Sequence, residues 1–177
     1  GCSPAPPGNV RLGAPEESWS FETGARWNGK RLRADLIGFW NEYSNLTDVC
    51  TFSNGCVGST LDRQFDAGSA RVYGVEALVE AELRASDAVW IPLRASYTYT
   101  ASEFLNDFVS ADPIYGRVRG GYELPYVPTH QGSGSVGVET GDVSLNVSVT
   151  YLGARREQAG LGDGTGQAHA VAHHTDT

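Results

Sequence analysis

The chain has 177 residues, of which 22 are glycine, and a formal net charge of −8. This length is that of one ordinary domain with room for a core, and the acidic balance argues against a surface that follows nucleic-acid phosphates. No run of about 18 apolar residues occurs, so the sequence predicts no transmembrane helix. That absence excludes no β-barrel, because barrel strands carry only half the apolar density.

The N-terminal segment Gly1–Gly8 lacks the charged and apolar regions of a signal peptide, and the chain contains no methionine. We therefore expect it to be a portion of a longer protein. Of three cysteines, Cys50 and Cys56 bracket a short polar loop and are predicted to form a small disulfide. A disulfide would imply an oxidising compartment, two free thiols are the alternative, and Cys2 is left over.

The first predicted element is a β-hairpin around Asn28-Gly29. Apolar and polar residues alternate over 18–28 and again over 30–43, which is the period of a β-strand. Asn-Gly is typical of a two-residue type I′ turn. This turn would pair Trp27 with Lys30, and it would place the apolar side chains of both strands on one face.

The predicted register also places like charges opposite each other on the polar face, with Arg26 opposite Arg31 and Glu22 opposite Asp35. Such pairs are unfavourable in a dry core and tolerable beside water. The hairpin therefore fits a soluble β-sandwich with its charged face in bulk water. It equally fits a membrane barrel whose charged face lines a wet lumen.

Four further strands follow the first hairpin. The alternation of apolar and polar residues predicts antiparallel strands over 70–83, 89–104, 130–140 and 143–153. Gly141-Asp142 supplies another two-residue turn. This second turn would pair Val138 with Leu145 and Val136 with Val147, so apolar residues again meet apolar residues.

The predicted connections alternate between short and long. The segments 41–70 and 105–130 are long and polar, whereas the other turns are short. An up-and-down antiparallel sheet then has all short turns at one end and all long loops at the other, as in bacterial outer-membrane barrels. Sandwiches usually have shorter strands and Greek-key connections, so this pattern favours a transmembrane barrel over a sandwich.

Several segments resemble the mid-barrel region of TonB-dependent outer-membrane receptors. They are Gly1–Gly8, Pro15–Ser18, Glu22–Arg26, Phe39–Asn45, Tyr73–Glu76 and Leu124–Gln131. Cys2 stands where Phe is usual in the family. The Pro-Tyr-x-Pro-x-His run in the last segment resembles the ferric-citrate-like branch of siderophore receptors.

The resemblance implies an all-β fold of up-and-down antiparallel strands that is an incomplete part of a transmembrane β-barrel of about 22 strands. It implies energised uptake of an iron chelate, siderophore or ferric-citrate-like, across the bacterial cell outer membrane. The implied partners are the chelate, outer-membrane lipid, and the TonB complex through an N-terminal plug. We expect about six strands of this barrel in residues 1–153 and a loop or aberrant tail in 154–177.

Four arginines in or beside the long loops are candidate ligand-binding residues. Guanidinium groups bind the carboxylates of an anionic chelate, and ordinary surface charge is the alternative. The four are Arg63, Arg71, Arg117 and Arg119.

The other polar clusters predict no metal site, cofactor or catalytic centre. Glu76, Glu80 and Glu82 share one strand face and are expected to line a wet lumen or to meet the plug. The histidines of the tail, of which His169 is the first, have no regular element to hold them. Because no Ser-His-Asp or Cys-His arrangement is visible, we do not expect an enzyme. The alternatives to the receptor hypothesis are a soluble β-sandwich binding module and a passive porin-like barrel.

Overall fold

The computed structural model describes residues 15–62 and 64–160. Within these ranges, no helix is long and apolar enough to cross a membrane. The two short 3-10 helices are Phe52–Asn54 and Gly58–Thr60. The strands are β1 (Glu17–Asn28), β2 (Leu32–Val49), β3 (Gln64–Arg84), β4 (Trp90–Phe104), β5 (Phe108–Val109), β6 (Arg117–Val118), β7 (His130–Glu139) and β8 (Ser144–Leu152).

Six long strands form one antiparallel sheet in the order β1-β2-β3-β4-β7-β8. Each strand pairs with the next long strand along the chain, so the topology is up-and-down, and β1 and β8 are the two edges of an open sheet. The all-β prediction and the predicted strand order are confirmed. A β-sandwich needs a second sheet packed face to face, and in the described residues the second sheet is only the two-stranded β5–β6 pair.

Short and long connections lie at opposite ends of this sheet, as predicted. The short ones are residues 29–31, 85–89 and 140–143. The long ones are residues 50–63 and 105–129, and the second contains β5 and β6. The sheet therefore has a short-turn end and a long-loop end.

The predicted register of the first hairpin was wrong. Trp27 lies opposite Ala34 rather than Lys30. The chain reverses at Lys30-Arg31, two residues later than predicted, and Asn28-Gly29 does not adopt the positive φ of a type I′ turn.

Cross-strand charge pairing favours the observed register. Arg26 lies opposite Asp35, and the Arg26 Nε–H donates to Asp35 Oδ1 at 2.9 Å. The predicted register would have placed Arg26 opposite Arg31, and like charges in that position repel. Because the partner strand moves by an even number of residues, every apolar side chain keeps its predicted face.

One face of the sheet, the outer face, is apolar and exposed from edge to edge. Phe21 on β1 is 62 % exposed and Val147 on β8 is 61 % exposed. The predicted pairing of Val136 with Val147 is confirmed. Soluble monomers rarely expose apolar patches larger than a few hundred Å², whereas a membrane barrel needs such a band against lipid. Other exposed apolar residues on this face are Trp19, Leu36, Val75, Val79, Leu145 and Val149.

Two strands extend into a region that the sequence predicted to be a loop. β2 continues to Val49 and β3 begins at Gln64, so the first long connection is shorter than predicted. The pairing slips between Tyr43 and Thr47, where Asn45 has a φ of 56°. This bulge interrupts the alternation of side chains, and that interruption concealed the ends of both strands.

The buried core lies at the long-loop end and not between two layers. It consists of Ala70, Phe104 and Val118, with partly buried apolar side chains packed around it. The packed side chains are Leu46, Phe108, Tyr115, Tyr122, Leu124 and Ala159. The segments 50–62, 105–129 and 153–160 thus pack together into one ordered unit, which we call the loop cap.

Candidate ligand site at the loop cap

A disulfide closes the first segment of the loop cap. Cys50 and Cys56 are bonded, with their Cα atoms 5.8 Å apart. Both residues are only 2 % exposed. The intervening turn ends at Gly55, whose φ of 88° belongs to the left-handed region that favours glycine. The bond therefore holds a compact polar turn against the rest of the cap.

Asp112 joins the first two segments of the cap. Its carboxylate accepts a hydrogen bond from Asn54 Nδ2 at 2.9 Å and another from the Ile114 N–H at 2.9 Å. Its backbone carbonyl accepts from the N–H groups of Tyr115 and Gly116. The side chain is fully buried, so this one residue organises the turn that follows it and anchors the disulfide loop.

Tyr115 connects the cap to the end of β2. Its hydroxyl donates to Asp48 Oδ2 at 2.9 Å, and its ring packs edge-on against Phe65 and Phe104. Burial, and then the hydrogen bond to the Asp48 carboxylate, raises the pKa of the Tyr115 phenol well above its usual value. The phenol therefore stays protonated and keeps this hydrogen bond at any physiological pH.

Arg117 begins the short β6 strand, and Arg119 directly follows its last residue. They flank Val118, which is 1 % exposed and faces the core, so alternation directs both arginines away from the core. Both are exposed. Within residues 15–62 and 64–160, neither guanidinium group forms an ion pair. The cap thus presents two cations, two residues apart, on one side of the β5–β6 hairpin.

The structure places Arg71 elsewhere, on the outer face near the long-loop end. Its guanidinium contacts Glu42 at 3.1 Å and Glu103 at 3.2 Å, and it lies 4.6 Å from the ring centre of Trp40. Two carboxylates and an aromatic ring therefore already contact this guanidinium group. Arg63, the fourth candidate, lies outside the described residues, as do the tail histidines.

A charged network crosses the opposite, inner face toward the short-turn end. Asp35 Oδ2 accepts from Arg33 at 3.0 Å. Glu80 contacts Arg33 at 3.6 Å and Arg94 at 3.3 Å. Arg26 completes the series through Asp35, so the network joins four adjacent strands. The network lines part of an open pocket with a volume of about 520 Å³, which Glu82, Glu139 and Asn146 also line.

The three glutamates predicted to share a lumen face do not form one cluster. Glu80 is paired with two arginines, Glu82 lines the open pocket, and Glu76 lies opposite Ile37 and Thr98. The sequence missed the inner network because its pairs depend on the strand register. Asp112 was not predicted either, because a lone aspartate in a loop carries no sequence signal of its own.

A family comparison accounts for this architecture. Residues 3–172 match the family described as TonB dependent receptor-like, beta-barrel. The chain belongs to the TonB-dependent receptor family. The open up-and-down sheet is therefore part of the receptor barrel, and its outer face is the surface that such a barrel turns to lipid. Among curated proteins, none matches the chain closely enough to count as a relative.

Proposed function

We propose that this chain is part of an outer-membrane receptor that takes up an anionic iron chelate, siderophore or ferric-citrate-like, with energy from the TonB complex. The loop cap lies at the end where outer-membrane barrels place their external loops. The charged inner face then lines the lumen, and an N-terminal plug, as the family implies, provides contact with the TonB complex. In this proposal residues 1–153 are the barrel portion and 154–177 a loop or tail.

The observation that supports an anionic ligand best is the pair Arg117 and Arg119. Both are exposed on an ordered hairpin of a chain with a net charge of −8. Guanidinium groups form bidentate hydrogen bonds with carboxylates, and two such groups two residues apart fit a polycarboxylate chelate. Arg63 and Arg71 remain weaker candidates, because the first is not described and the second already contacts two glutamates.

The test is binding and uptake of radioactive ferric citrate by cells that carry the intact receptor with the double substitution Arg117→Gln and Arg119→Gln. Loss of two charge-assisted contacts should raise the Kd at least tenfold, since each such bond contributes about 1.5–3 kcal/mol. The matched control is Arg31→Gln with Arg84→Gln. It removes the same charge at the short-turn end, where both arginines lie near Trp90.

Equal binding by the two double variants, at equal amounts in the membrane, would contradict the role of Arg117 and Arg119. The passive porin-like alternative makes a separate prediction, because uptake would then continue in cells without a functional TonB complex. Uptake that is lost without TonB but insensitive to both double variants would retain the transport proposal and exclude the arginine pair.

A further inference from the structure

The disulfide loop and Asp112 together form a buried group of metal-ligating side chains. One ligand atom from each of Cys50, Cys56 and Asp112 lies within 4.8 Å of the other two. We propose that these three residues form a redox-controlled metal site. The site binds no metal while the disulfide is closed, and binds a thiophilic divalent cation such as Zn²⁺ once the disulfide is reduced.

The ligand set matches the chemistry of Zn²⁺. This ion prefers four ligands in tetrahedral geometry, with thiolate sulfur at about 2.3 Å and carboxylate oxygen at about 2.0–2.2 Å. Two thiolates from Cys50 and Cys56 with one Asp112 oxygen supply three ligands, and a water supplies the fourth. The Asp112 oxygen already lies within 4.8 Å of both sulfur atoms, and once reduction breaks the bond between the sulfurs, side-chain rotations bring the three atoms around one ion.

Burial favours metal-bound thiolates over free thiolates. Cys50 and Cys56 are 2 % exposed and Asp112 is fully buried. Buried thiolates are unfavourable unless a cation compensates their charge, and metal binding supplies that cation.

The Asp112 carboxylate gives a second, independent reason to expect a cation. It accepts two hydrogen bonds, from Asn54 and Ile114. Within the described part of the chain no cationic side chain forms an ion pair with it. A buried carboxylate without a positive partner is costly, and a divalent ion bound to the carboxylate and two thiolates offsets much of that cost.

The redox step is balanced by a dithiol reductant. The reductant donates two electrons and two protons, the Cys50–Cys56 bond breaks to give two thiols, and the reductant becomes a disulfide. Metal binding then displaces both thiol protons to solvent, since the thiolate is the ligand. The metal cross-links segments 50–62 and 105–129 of the loop cap through coordination, whereas in the oxidised chain the hydrogen bond from Asn54 to Asp112 joins them.

The experiment uses the intact receptor with Cys2→Ser, purified in detergent and stripped of metal. Co²⁺ is titrated into the oxidised protein and into protein reduced with a phosphine, and the thiolate-to-cobalt charge-transfer band is recorded. We expect about one equivalent of Co²⁺ in the reduced protein, displaced by Zn²⁺, and none in the oxidised protein. Asp112→Asn should weaken binding at least tenfold, whereas Asp107→Asn, an exposed carboxylate in the same segment, should not.

Reduced protein that gives no charge-transfer band would overturn the proposal. So would a band that survives alkylation of the thiols by N-ethylmaleimide before titration. This alkylation arm needs no substitution beyond Cys2→Ser, so the proposal remains testable even where Asp112→Asn fails to fold. Equal Co²⁺ affinities of the Asp112→Asn and Asp107→Asn variants would show that the Asp112 carboxylate is not a ligand of the metal.

Discussion

Val147 and Ser148 are neighbours on β8, yet they lie on opposite faces of the sheet. Val147 pairs with Val136 on the apolar outer face, and Ser148 pairs with Ser135 on the inner face. Val147→Arg in the intact receptor should cost about 2–4 kcal/mol when the residue faces the middle of the bilayer. Ser148→Arg should cost little, because the lumen side is wet.

Folding titrations in lipid vesicles measure the free energy of unfolding of the two variants. Both variants introduce the same side chain into the same strand one position apart, so each is the control for the other. Equal destabilisation of the two would contradict the assignment of the faces.

Gly74 shows what a single residue contributes to the packing of neighbouring strands. A Cβ atom at this position would clash with the backbone carbonyl of Tyr99, and it would lie 2.8 Å from the ring of Phe39. The Phe39 ring thus lies over the backbone of β3, where any larger residue would displace it. Glycine is needed here because neighbouring groups approach its backbone closely, and not because the chain turns. The alternation of apolar residues in the sequence does not reveal this need.

At the scale of elements, the loop cap should depend on its small core. Phe104 is 2 % exposed and packs edge-on against Phe108, with ring centres 5.3 Å apart. Phe104→Ala should cost about 3–5 kcal/mol of local stability. Because the cap is small, we expect segment 105–129 to open and trypsin to cleave faster after Arg117 or Arg119.

The matched control is Phe52→Ala. Phe52 belongs to the same cap but is 76 % exposed, so its truncation removes little buried area and should leave cleavage unchanged. Identical cleavage of the two variants would mean that the cap is not held by the core around Phe104.

An element could be predicted from the sequence where neighbouring residues alone determine its pairing. The pair Val136 and Val147 follows from a short turn and a clean alternation, both visible in the sequence, and it is confirmed. The predicted pairing of Trp27 with Lys30 is wrong because it assumes a turn at Asn28-Gly29, whereas the register follows from contacts along the full strands, among them Arg26 with Asp35.

The loop cap could not be predicted from local sequence patterns. Its contacts join distant segments, as between Asn54 and Asp112 or between Tyr115 and Asp48. No periodicity marks such residues, and β5 and β6, at two residues each, are too short for alternation to indicate. The long loops were expected from composition, but their packing into one unit was not.

At the scale of the whole molecule, the sheet has two unfavourable surfaces in water. β1 and β8 are edge strands, and the outer face exposes apolar side chains from Trp19 to Tyr151. Unpaired edges template aggregation and are not tolerated in hydrocarbon. Residues 1–177 expressed alone should therefore be insoluble or elute as aggregates in size-exclusion chromatography without detergent. A sharp monomeric peak with a cooperative thermal transition would instead support a soluble module.

The most direct test of the barrel assignment is a spin-label scan along β8, residues 144–152, in the intact receptor reconstituted into lipid vesicles. Single cysteines are introduced into a background without Cys2, Cys50 and Cys56, and collisions with oxygen and with a water-soluble nickel chelate are measured. From the barrel assignment we expect a period of two: labels on the outer face collide with oxygen dissolved in lipid, and labels on the inner face collide with the nickel chelate. Nickel accessibility at Leu145, Val147, Val149 and Tyr151, or no alternation at all, would contradict it.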